Sequence, residues 1–218
     1  MACPQIVVNC PENCPAQHLR NLPNFGPQQN MPWNNWVSHC EDLRQRECNE
    51  ILRRHGRIRL YILTESIPRT RFVYDEQSNY CIHSAMEGLR TRLCKELINA
   101  ECPPDVCNCS QCPNLNTLLN YLRDKGILIV DCALCPLHLL KNNYTNRRHA
   151  ATQCLNNNTM AYLNVTQNAP IITIFPCNCG FLRRRKLHVQ RRVVEEFNFS
   201  YLRDWRMQFK MCLWTVSE

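Results

Sequence analysis

The sequence predicts an α+β fold, and three observations predict it. Two stretches repeat apolar residues at three- and four-residue steps, as amphipathic helices do, around positions 40–55 and 83–100. Between and after them come short runs rich in branched and aromatic residues, "RIRLYILT" and "PIITIFP", that read as strands. Hydrophobic residues make up 44% of the 218 positions, enough to bury a core and to argue against wholesale disorder.

The first 36 residues hold six prolines, many Asn and Gln, and only Glu12 and Arg20 as charges, which predicts an irregular arm over 1–36 ahead of a domain over 37–218. A helix is expected from about Cys40, with Leu43, Ile51 and Leu52 on one side and His55-Gly56 as its stop. "RIRLYILT" then reads as a strand, with "RFVY" after Pro68 as its partner. The second helix, "HSAMEGLRTRLCKELINA", aligns Met86, Leu89, Leu93, Leu97 and Ala100 and ends before Pro103-Pro104. "NLNTLLNYLRDKG" predicts a third helix closed by Gly126, and "ILIV" a short buried strand. "MAYLNV" and "PIITIFP" read as a strand pair, and from about 181 to 213 the pattern is helical.

Seventeen cysteines, about 8% of the chain, require a staple, either disulfide or metal. The count is odd and the clusters are closely spaced, which favours reduced thiols holding zinc, with free thiols and disulfides as the alternatives. Cys109-x2-Cys112 and Cys132-x2-Cys135, separated by 19 residues, have the spacing of a four-thiolate zinc site, and Cys107 and His138 are further candidates. Cys177 and Cys179 suggest a second site completed by Cys81, His83 or Cys154. Cys3, Cys10, Cys14 and His18 form a third grouping inside the arm. Each would be a closed, structural site that supplies folding energy.

The net charge of +8 is concentrated between Arg183 and Arg192, where Arg183, Arg184, Arg185, Lys186, Arg191 and Arg192 occur without an acid. On a helical wheel Leu182, Lys186, Val189, Val193 and Phe197 share one side and Arg184, Arg185, His188, Arg191 and Arg192 the other. Such a face suits docking, nuclear targeting or phosphate contact, or is a solvated surface. The opening residues lack the basic and apolar regions of a secretion signal, and no apolar run reaches a membrane span. Five glycines, no phosphate-binding loop and no dinucleotide fingerprint argue against an enzyme, and no catalytic residue is assigned.

Three stretches in order resemble the adenovirus early-region-four, open-reading-frame-six family. They are "MPWNNWVSHCEDLRQRECNEILRR", "VCNCSQC" and "IITIFPCNCGFLRRRKLHVQRRVVEEF". The resemblance implies an early viral protein of the host nucleus and cytoplasm. It would act as an adaptor that joins host elongin B/C and a cullin and, with a second viral early protein, directs host defence and DNA-damage proteins to degradation. It further implies elongin-binding leucine/cysteine boxes, here around Leu43 and Cys48 and around Leu97, Ile98 and Cys102, and gives the basic segment a role in nuclear retention. A nucleic-acid-binding zinc protein of viral transcription or RNA processing is the alternative.

Overall fold

A computed structural model describes residues 2–6, 8, 11–23, 25, 31–66, 120, 122–140, 143–175 and 193–198. Its centre is a four-stranded sheet of β1 (Leu60–Ser66), β2 (Ile127–Ala133), β3 (Ile171–Phe175) and β4 (Val193–Asn198), in the order β2-β1-β3-β4. Every pairing is parallel; Tyr61 stands opposite both Leu128 and Ile171, and a register shift between Ile171 and Ile172 lets β4 join β3. Helices and a small sheet are thus both present, as the α+β reading requires. The parallel arrangement explains why "LYIL", "ILIV" and "II" are continuous apolar runs: strands covered on both faces cannot afford a polar side. Tyr61, Leu63, Leu128 and Val130 enter the main core, while Ile62, Ile129 and Ile172, on the alternate positions, are buried as well.

Helix α1 (Trp33–His55) starts seven residues before the expected Cys40. Pro32 caps it in extended geometry, and since proline has no N–H, it suits a helix start, where amides lack acceptors. Trp36, Val37, Cys40, Leu43, Ile51 and Leu52 form its buried stripe. Its end falls where the sequence places it: Gly56 is left-handed at φ +70°, and its N–H donates to the Leu52 carbonyl at 2.8 Å. Residues 122–125 are helical and close at Gly126, φ +73°, immediately before β2. His55 Nε2 meets the Arg123 carbonyl at 2.7 Å, and the Arg123 guanidinium grips Glu47 through two bonds of 2.6 Å, which ties α1 to this turn.

"MAYLNV" is a helix, not a strand. α2 (Tyr144–Cys154), capped by the Asn143 side chain on the Asn146 N–H at 3.0 Å, runs through a π-helical turn (Leu155–Thr159) into α3 (Met160–Leu163). Leu155, Thr159, Tyr162 and Leu163 are buried at helical steps, which the polar run Asn156–Asn158 hides from a local reading. "PIITIFP" therefore pairs with β1 and β4 rather than with its immediate predecessor.

The helix expected over 181–213 is also corrected, because β4 occupies 193–198. A four-residue step such as Val193 to Phe197 fits either geometry, and the open edge of β3 favours the strand for branched and aromatic residues. The remainder of that span, the helix expected at 83–100 and the "RFVY" strand lie outside the described residues.

The arm is irregular apart from a 3-10 helix (Gln17–Asn21), yet Cys3, Cys14, Ala16, Leu19 and Phe25 belong to the same core as α1. Cys3 is disulfide-bonded to Cys48 on α1, with Cα atoms 6.0 Å apart, within the range for such a link. Cys40 is disulfide-bonded as well. The expectation of reduced thiols is overturned at these positions, and Cys3 is not available to the third metal grouping. The Cys3 N–H also donates to Asn49 Oδ1 at 2.8 Å, a second tie between the arm and α1.

Candidate functional site

Helix α1 turns three charged residues inward, Glu41, Arg44 and the Glu47 that Arg123 holds. The Arg44 guanidinium pairs with Glu41 one turn earlier and with Asp131 Oδ2 on β2 at 2.5 Å. All three are at most 7% exposed. Thr64 on β1 donates its hydroxyl to the other Asp131 oxygen, and Thr159 in the π-helical turn donates to the Asp131 carbonyl at 2.7 Å. Burial alone would lower the Arg44 pKa, but the Glu41 and Asp131 carboxylates outweigh it and hold the guanidinium above its ordinary range. Two carboxylates face one guanidinium, so the group is electrostatically incomplete. The Tyr162 hydroxyl lies against the Glu41 carboxylate as a further donor.

Glu41 lines a groove of about 420 Å³. Its floor is the margin of α1 where buried Trp33 and Val37 meet exposed Asn34, Ser38 and Asp42 and half-buried Gln45. The arm closes one side with Gln5, Ile6 and Val8, and Tyr162 at the end of α3 closes another. Burial, with the Glu41 charge beside it, pushes the Tyr162 hydroxyl well above its usual range and keeps it protonated. Arg44 lies over the Tyr162 ring at 5.8 Å, and Arg20 over Trp33 at 5.0 Å. The Trp33 indole N–H donates to the Leu134 carbonyl at 3.1 Å, which fixes the ring at the head of the groove. Among the described residues the lining offers acceptors, amides and aromatic side chains with neither histidine nor cysteine.

Among the thiols expected to bind zinc, Cys132 lies on β2 and Cys135 just beyond it, both buried. Cys154, assigned from the sequence to the second site, sits instead beside this turn: its Sγ accepts the Leu134 N–H at 3.1 Å. His138 falls in the 3-10 helix Leu137–Leu140. Cys81, His83, Cys107, Cys109, Cys112, Cys177 and Cys179 lie outside the described residues, and among the described residues no three His, Cys, Asp or Glu side chains converge as a metal site.

Leu43 and Cys48 are interior, Cys48 in its disulfide, so a partner would reach this box only by opening the core. Leu97, Ile98 and Cys102, and the basic residues Arg183, Arg184, Arg185, Lys186, Arg191 and Arg192, are outside the described residues.

Sequence reasoning missed Glu41, Arg44, Asp131 and Tyr162. The signal was present: Asp131 interrupts an otherwise apolar strand, and a charge inside such a run requires a buried partner. No family model, curated protein or solved structure matches the chain.

Proposed function

We propose that the chain is a non-catalytic adaptor of the kind its sequence resembles, coupling host elongin B/C and a cullin to host defence and DNA-damage proteins in the nucleus and cytoplasm. One observation carries the reading furthest. Most of the first resembling stretch, Met31–Arg54, folds into the single long helix α1, anchored to the sheet through Arg44 and Asp131 and leaving a lined groove along its margin. A rigid helix with one face held and one face accessible is a platform for other macromolecules.

Because Leu43 and Cys48 are interior, elongin contact in this reading passes to the stretch carrying Leu97, Ile98 and Cys102. Zinc, held by Cys132 and Cys135 together with Cys109 and Cys112, would brace the domain; Cys132 and Cys135 fit that role as buried thiols at the end of one strand. The six positive charges between Arg183 and Arg192 favour nucleic-acid binding as the second reading.

Affinity purification of the tagged chain from vertebrate cells separates the two. Elongin B, elongin C and a cullin should co-purify. Their absence, together with salt-sensitive retention of the protein on nucleic acid, would overturn the adaptor reading in favour of the alternative.

A further inference from the structure

The geometry points to the groove between α1 and the arm as a binding site for an extended basic peptide, with an arginine side chain seated against Glu41 and Asp42. The proposal goes beyond the adaptor reading and does not depend on it.

Size comes first. A space of about 420 Å³ lies in the range of sites that take a side chain and its neighbours. The stripe from Asn34 through Ser38 and Glu41 to Gln45 covers three turns of α1, roughly 16 Å at 1.5 Å per residue, which matches about five residues of extended chain. Chemistry comes second. Asn34, Ser38 and Gln45 offer hydrogen bonds to a peptide main chain, and Ile6, Val8 and Val37 offer apolar contact.

Charge decides the occupant. Glu41 is more than nine-tenths buried, and its cationic partner Arg44 is shared with Asp131. Asp42 adds a second carboxylate, and among the described residues no lysine or arginine lines the groove. A divalent metal would need a fuller set of oxygen ligands, and among the described residues no three acidic, histidine or cysteine side chains converge. A guanidinium supplies several N–H donors in a plane, a geometry that suits paired carboxylate acceptors.

The test is fluorescence anisotropy on the full chain with a fluorescein-labelled pentapeptide, Ala-Val-Arg-Val-Ala, and the same peptide with citrulline in place of arginine. The arginine peptide should bind, and the uncharged citrulline peptide about tenfold more weakly or less. Glu41→Gln and Asp42→Asn should each weaken the arginine peptide by about tenfold, and Ser38→Trp should abolish binding by filling the floor. Asp42 and Ser38 are exposed, so D42N and S38W retain the fold even where E41Q does not. Equal binding of the two peptides, or binding unchanged in D42N and S38W, would overturn the proposal. So would binding that appears only after Arg183, Arg184, Arg185 and Lys186 are replaced by Ala, since the groove would then belong to the chain's own basic segment.

Discussion

Arg44 on α1 and Asp131 on β2 are 87 residues apart in sequence and meet at 2.5 Å in the interior. This pair fixes how the helix lies on the sheet, because neither charge can be left in the core alone. Asp131→Ala is expected to destabilise the fold by about 1–3 kcal/mol, since Glu41 still neutralises Arg44 but the Thr64 hydroxyl and one guanidinium nitrogen lose their buried acceptors. Replacing all three members with apolar residues (Glu41→Leu, Arg44→Met and Asp131→Leu) should cost less than D131A alone. Urea unfolding followed by tryptophan fluorescence reads both; a D131A midpoint equal to wild type would show that the pair does not anchor α1.

Gly56 and Gly126 both take positive φ, but only one of them is crowded. Gly56→Ala meets nothing within 4 Å and should cost about 1–2 kcal/mol for left-handed backbone alone. At Gly126 a new Cβ would stand 3.0 Å from the Arg59 side chain, so G126A should cost more than G56A. Thermal melts of the two variants compare them directly, and the reverse order would mean that Arg59 yields freely.

The Cys3–Cys48 link closes a loop across a 45-residue separation and holds the arm on α1. Removing it with Cys3→Ser and Cys48→Ser should destabilise the chain by roughly 2–4 kcal/mol and expose the arm to protease before the rest of the domain. Cleavage of the arm at the wild-type rate would show that core contacts of Leu19 and Phe25 hold it without the link.

His39 stacks on Trp36 with ring centroids 5.8 Å apart. Burial lowers its pKa from the ordinary 6.5, against the opposing charge of Asp42 and with help from Arg46. In the window just below 6.5 the unfolded chain therefore binds more protons than the folded one, so stability should rise with pH there. Urea midpoints at about pH 5.5 and about pH 7.5 should differ in wild type and differ less in His39→Gln. An identical difference in the variant would assign the effect to other groups.

Zinc is expected at about one to two equivalents in protein purified under reducing conditions, and Cys132→Ser with Cys135→Ser should remove about one. Elemental analysis by mass spectrometry decides this. Metal-free, folded protein would leave the buried thiols of Cys132, Cys135 and Cys154 as core residues only.

Local pattern was enough for several elements. The α1 stop at Gly56, the strands "RLYILT", "ILIV" and "IITIF", and the turn at Gly126 were all legible, because glycine conformation and short-range apolar periodicity act between neighbours in the chain. Tertiary structure decided the rest. It made the sheet parallel, turned "MAYLNV" into helix and gave 193–198 to a strand, since such short segments fit both periodicities until a neighbouring edge or face selects one. It also brought Glu41, Arg44 and Asp131 together and put Cys3 on Cys48. Pairings between residues distant in sequence leave no periodic trace, and only the folded chain's need to neutralise or cross-link what it buries reveals them.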